Sequence, residues 1–247
     1  MIWAANWKMN LSPAESLDLL QSICESVPES LLSDFIVFPQ NYSLGLLAKI
    51  VQHSNMSFGA QNVYPAKDGA YTGENSVEAL KAMGADWALV AHSERRKYFA
   101  ETNASAAEKI AFLQAEDIKP MYCIGESVED REAGTTEEVL LDQLKVGLQK
   151  LDLQKDFAIA YEPVWAIGTG QVASPEQVAE AHDFIRRFLA EDIAKEVAAR
   201  TPILYGGSVK PSNCEALAAV PHVDGFLIGG ASLDTEQLCQ IIEQTKN

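Results

Sequence analysis

Short apolar runs alternate with longer amphipathic stretches along this chain of 247 residues. Eight runs read as buried strands: Ile2–Asn6, Asp34–Phe38, Met56–Ala60, Trp87–Ala91, Lys119–Ile124, Phe157–Tyr161, Pro202–Tyr205 and Val223–Ile228. Between them apolar residues recur at helical spacing. Examples are Leu17, Leu20, Cys24 and Val27, then Leu46, Leu47, Ile50 and Val51. Val77–Met83 and Asn103–Ala115 also read as helices, and Leu141, Leu144, Leu148 and Leu151 predict another buried face. So do Val178, Ala181, Ile185, Phe188 and Ile193. Three helix starts carry capping-box patterns: Ser12-Pro13-Ala14-Glu15, Thr135-Thr136-Glu137-Glu138 and Ser174-Pro175-Glu176-Gln177. Proline in the first helical position supports the first and third. Ser93 is placed to cap a short helix from Glu94 to Tyr98. The strand–helix alternation repeats about eight times without a linker or composition break, which predicts an α/β fold, a single (β/α)8 barrel domain over residues 1–247.

Composition adds limits. At 47% apolar the chain can bury a sizeable core. A formal charge of −16 argues against nucleic acid or an anionic membrane surface as the main partner. It also fails to favour a small anionic substrate, so any phosphate must be held by local groups. The four cysteines, Cys24, Cys123, Cys214 and Cys239, show neither metal-ligand nor disulfide spacing. No metal and no organic cofactor is expected. Met1–Asn6 is too short for a leader, and charge follows at Lys8. No apolar run approaches membrane-spanning length, so a reducing cytoplasm is the expected location.

Candidate chemistry collects just after the strands. Glu162 stands where the sixth strand stops, and Pro163 removes the next backbone donor. Val164, Trp165, Ala166 and Ile167 then form an apolar loop closed by Gly168, Thr169 and Gly170. From the residues alone Glu162 is either a base under a water-excluding lid or an exposed strand-end carboxylate. His92 follows the fourth strand and sits at a helix N-terminus, where the positive dipole end would lower its pKa. A structural hydrogen-bonding role is the alternative. Asn6 and Lys8 follow the first strand, and an isolated lysine there could simply be solvated. Gly206-Gly207-Ser208 and Gly229-Gly230 follow the last two strands, where a barrel's phosphate site commonly lies. Glycine lets backbone N–H groups approach phosphate oxygens closely. Cys123 lacks an activating neighbour and reads as a packing residue. The long polar stretch Gln61–Ser76 is either a functional loop or a surface excursion.

Three strings narrow these alternatives. Asn6-Trp7-Lys8-Met9-Asn10, Ala91–Arg96 and Ala160–Gly170 (AYEPVWAIGTG) resemble the catalytic motifs of the triosephosphate isomerase family. The resemblance runs from Asn6 to about Leu233. It implies a TIM barrel that interconverts dihydroxyacetone phosphate and glyceraldehyde 3-phosphate, a step of glycolysis and gluconeogenesis. The family is itself a standard example of a carboxylate base, a neutral histidine electrophile and a closing loop. On this resemblance Glu162 is the base and His92 the electrophile, while Lys8 and Asn6 stabilise the enediolate. Asn6, Lys8, Gly168, Ser208, Gly229 and Gly230 bind substrate, and Pro163–Gly170 is the lid. Ile167 and Leu227 would clamp Glu162 on closure, and Tyr205 would latch the lid near Ala173. Thr72 would tip a loop that enters a partner subunit, which implies a homodimer. Ala91 and Gln171 depart from the family's usual glycine and lysine. A Schiff-base aldolase would need a strand-end lysine, and Lys8 is the one candidate.

Overall fold

A computed structural model describes residues 1–167 and 171–246, and in it the apolar runs form eight parallel strands closed into a barrel. They are β1 (Ile2–Asn6), β2 (Phe35–Phe38), β3 (Ser57–Ala60), β4 (Trp87–Val90), β5 (Lys119–Ile124), β6 (Ala158–Tyr161), β7 (Ile203–Tyr205) and β8 (Gly225–Ile228). Each strand pairs with the next, and the ring closes where Ala4 of β1 lies beside Leu227 of β8. Six strands begin or end one or two residues inside the predicted runs. Helices connect the strands and surround the barrel.

Side chains on a strand alternate between its two faces, so each strand feeds two apolar layers. Ala4, Ile36, Phe38, Leu89, Met121, Cys123, Ala158, Ala160, Leu204 and Leu227 fill the barrel interior. Trp3, Ala5, Phe35, Val37, Tyr122, Ile159, Tyr161, Ile203 and Phe226 point outward and pack under the helices. Cys123 is fully buried in the inner layer, consistent with a packing role.

Two of the three capping boxes form, at Ser12/Glu15 and Ser174/Gln177, each with its proline in the first turn. The third does not. Thr135 makes no side-chain cap to the helix Thr136–Gly147; its hydroxyl donates to the Asp130 carbonyl at 3.1 Å. The cause is an unforeseen helix immediately before it, Val128–Ala133, which has its own Ser127/Asp130 box and ends at Gly134 with φ 71°. The following helix buries Leu140 and Leu144, while Leu141 is only partly buried. Leu46 is likewise exposed, because Leu44, Leu47, Ala48 and Val51 make the cleaner helical stripe. Near the end, Trp3 Nε1 donates to Thr245 Oγ1 at 2.9 Å and ties the helix Thr235–Thr245 to the first strand. Among the described residues no helix is long and apolar enough to cross a membrane.

Candidate active site

The inward alternation carries polar groups to the carboxyl ends of the strands. On β6, Ala158 and Ala160 face inward, and Glu162, two residues on, continues that face. It is 2% exposed. Its space exists because two neighbours have no side chain. A methyl group on Gly125 would lie 1.7 Å from the Glu162 carbonyl oxygen, and one on Gly206 would lie 3.0 Å from Glu162 Cγ. On β4 the alternation is broken deliberately. Ala91 adopts φ 57° and packs outward, which delivers His92 to the cleft. The Ala91 peptide is held at both ends, its N–H donating to Glu101 and its carbonyl accepting from Arg96 Nε.

His92 itself, not Ser93, caps the helix Ser93–Phe99: Nδ1 accepts from the Glu94 N–H at 3.2 Å. With Nδ1 an acceptor, the ring proton sits on Nε2, which lies 2.8 Å from Glu162 Oε1. The other carboxylate oxygen accepts from the Ser93 N–H at 2.8 Å. Lys8, at φ 50°, is pinned by its N–H to Asn6 Oδ1 and by Gln61 Nε2 on its carbonyl. Its ammonium pairs with Glu94 at 2.7 Å. Because Asn6 Oδ1 is engaged, its amide NH2 is the group left to donate into the cleft.

These four side chains share one cleft of about 530 Å³ with Ser208, Gly229 and Gly230. The turn after β7 is held by Asn213, whose amide donates to the Ser208 carbonyl and accepts from the Lys210 N–H. After β8, Ser232 bonds the Gly229 carbonyl through both its N–H and its hydroxyl, and Gly230 opens a short 3₁₀ turn. A methyl group at Gly230 would meet nothing within 4 Å. Among the described residues no group of three His, Cys, Asp or Glu is arranged to hold a metal ion.

The family model for triosephosphate isomerase matches residues 1–245. The triosephosphate isomerase of Bdellovibrio bacteriovorus is 45% identical over 97% of this chain and 98% of its own length. Those of Chlamydia muridarum and Leptospira borgpetersenii are 45% and 46% identical, over 97% and 93% of this chain and 89% and 94% of their own lengths. The chain belongs to the triosephosphate isomerase family.

As a member of the triosephosphate isomerase family it is an isomerase, and its Glu162 and His92 side chains are in direct contact. Burial alone would raise the Glu162 pKa, but His92, the Ser93 N–H and Lys8 together hold it low. Burial would likewise depress His92, yet the adjoining Glu162 carboxylate outweighs it and the pKa is raised. The depressed histidine expected from the helix end is therefore not what this arrangement holds, because a carboxylate occupies the Nε2 side. Ala91, one of the departures from the triosephosphate isomerase pattern, takes the left-handed backbone that glycine would adopt more readily.

Of the loop Pro163–Gly170, residues Pro163, Val164, Trp165, Ala166 and Ile167 are described, and Gly168, Thr169 and Gly170 lie outside the described residues. Val164–Ala166 forms a 3₁₀ turn. Trp165 Nε1 donates to the fully buried Glu126 at 2.8 Å, and the Tyr161 hydroxyl lies 3.1 Å from both Glu126 oxygens. Ile167 and Leu227 both line the cleft beside Glu162. The Ala173 N–H faces the Tyr205 hydroxyl without completing a hydrogen bond, and burial pushes that phenol up to about 12. Thr72 is exposed on the loop between β3 and the helix Val77–Met83, away from the cleft. Glu94, Gly125, Glu126 and Asn213 were not singled out from sequence. Glu94 carried the clearest signal, an acid two residues after His92 at a helix start.

Proposed function

We propose that this cleft interconverts dihydroxyacetone phosphate and glyceraldehyde 3-phosphate through an enediolate. The observation that carries the reading is the meeting of Glu162, His92 and Lys8 at the carboxyl ends of the strands, beside two glycine turns. Glu162 leaves His92 and Ser93 and takes a proton from the carbon beside the substrate carbonyl. Leaving those partners removes what holds its pKa low, while burial against Ile167 and Leu227 remains, so it becomes a stronger base on reaching the substrate. The same movement frees His92 Nε2–H to donate to the carbonyl oxygen. Electron density from the broken C–H bond moves onto that oxygen, where His92, the Lys8 ammonium and the Asn6 amide stabilise it. His92 passes its Nε2 proton to that oxygen and takes up the proton of the adjacent hydroxyl, so the negative charge moves to the second oxygen. Glu162 then returns its proton to the former carbonyl carbon as the second oxygen forms the new carbonyl. Backbone N–H groups near Gly168, Ser208, Gly229 and Gly230 hold the phosphate, and the lid Pro163–Gly170 excludes water.

Residues 1–247 act as one barrel domain in the cytoplasm, as part of a homodimer. A second cleft, about 380 Å³, shares Asn6 and Lys8 with the first and includes Met9 and Phe99. Met9, Tyr98 and Phe99 are 86%, 67% and 64% exposed, an apolar rim suited to a second copy's loop carrying Thr72. The test is interconversion of the two triose phosphates by purified protein in chelator, with Glu162→Gln alongside. Wild-type turnover should be fast, and the variant should fall by roughly 10²–10⁴-fold, the scale of a positioned base. A variant of near-full activity would remove Glu162 from the reaction.

A further inference from the structure

The net charge of −16 should repel a dianionic phosphate, and the site's own cation does little to offset that. Lys8 is paired with Glu94 at 2.7 Å, and Glu162 adds a negative charge to the cleft wall. One further cationic side chain lines the cleft among the described residues: Lys210. It is exposed, and among the described residues its ammonium makes no ion pair or hydrogen bond. Its backbone is fixed, since the Lys210 N–H donates to Asn213 Oδ1 at 2.8 Å while the Asn213 amide holds the Ser208 carbonyl at 2.9 Å. The lysine is therefore carried on the same braced turn as Ser208, across from the Gly229–Gly230 turn in the same cleft.

We propose that Lys210 is a substrate-steering residue: its unpaired ammonium at the mouth of the cleft attracts the phosphate dianion and hands it to the backbone N–H groups around Ser208 and Gly230. The inference rests on the reading of this cleft as a triose-phosphate site. Backbone amides bind phosphate only at contact distance, whereas a unit charge acts over a Debye length, about 8 Å at physiological salt. Lys210 thus governs encounter and binding, and leaves the proton transfers at Glu162 and His92 to proceed unaided. Because the ammonium is exposed, its effect is moderate and screened by salt.

The experiment compares wild type with Lys210→Arg, Lys210→Gln and Lys210→Glu on glyceraldehyde 3-phosphate at about 0.01 M and about 0.5 M ionic strength. At low salt kcat/KM should fall about three- to tenfold in Lys210→Gln and further in Lys210→Glu, with Lys210→Arg close to wild type. The loss should appear in KM rather than kcat and shrink at high salt. Turnover of unphosphorylated glyceraldehyde should be unaffected by the substitutions. Equal loss on glyceraldehyde, or an unchanged kcat/KM in Lys210→Glu at low salt, overturns the proposal. Calorimetric binding of inorganic phosphate separates this inference from the reading it rests on. Wild type that binds phosphate in a Lys210-dependent, salt-sensitive way without isomerising would sink the isomerase reading and leave the phosphate contact standing. Phosphate affinity that is the same in wild type and Lys210→Gln would overturn the contact.

Discussion

Acid should destabilise this protein through one buried histidine remote from the reacting groups. His182 lies in the helix Pro175–Phe188 with no exposed surface. Its Nδ1 is 2.9 Å from the His222 carbonyl, so Nδ1 carries the proton and donates. Nε2 is buried with no hydrogen-bond partner among the described residues, and the ring meets Tyr161 edge-on at 5.8 Å. Burial, with the nearby Arg186 and His222 charges, lowers the His182 pKa from 6.5 to about 4. A base whose folded pKa is depressed costs nothing above its unfolded pKa. As pH falls below 6.5 the unfolded chain gains a proton that the folded chain refuses, so stability is lost until pH reaches about 4. The full loss is about 3.5 kcal/mol, at about 1.4 kcal/mol for each pH unit between 6.5 and about 4. At about pH 5 roughly 2 kcal/mol should already be gone. Urea unfolding at fixed protomer concentration, for wild type and His182→Asn across that range, reads this directly. Asparagine can still donate toward the His222 carbonyl and does not titrate. The stability gap between the two proteins at about pH 8 should therefore close by roughly 2 kcal/mol at about pH 5. Other titrating groups, His92 included, are common to both proteins and cancel in the difference. Curves that stay parallel would show that His182 is not held neutral by the fold.

Three further substitutions probe the cleft and its surroundings. Lys8→Met should fold yet turn over poorly, and partial recovery on adding ammonium ion would mark the lost group as a charge; wild-type rates would remove Lys8 from the reaction. Gly125→Ala places a methyl group against the Glu162 backbone, so kcat should drop about 10²-fold for a displacement near 1 Å, and an unaffected kcat would mean the backbone there yields freely. Thr72→Arg should weaken self-association and lower activity together, as sedimentation and assay on the same samples would reveal; an intact dimer would exclude the loop from the interface.

The barrel was legible because its evidence is local and repeated. Each strand is an apolar run, and two helices carry capping boxes that form as written. Local evidence failed where a neighbour changed the context. Thr135 carries the same pattern as Ser174, but a preceding helix takes its hydroxyl. The helix after Thr135 still begins at Thr136, and Leu140 rather than Leu141 takes its buried face.

The cleft was legible as a set of residue types, but its arrangement was not, and the reason lies in the backbone. Period-two alternation correctly projects Glu162 from Ala158 and Ala160, since β6 stays extended to its end. The same rule carried along β4 would aim Ala91 inward and His92 outward. The left-handed Ala91 reverses this, and an alanine gives no warning of positive φ as a glycine would. Lys8 adopts a similar backbone with similarly little signal. Its charge partner is 86 positions away at Glu94, a separation that no spacing rule connects. Along the chain Lys8 and Lys210 are two ordinary loop lysines. Folding separates them: Lys8 is brought against Glu94 and its charge is compensated, whereas Lys210 reaches the same cleft with no ion pair among the described residues. Their difference in electrostatic reach is thus a property of tertiary pairing, which composition and net charge cannot encode.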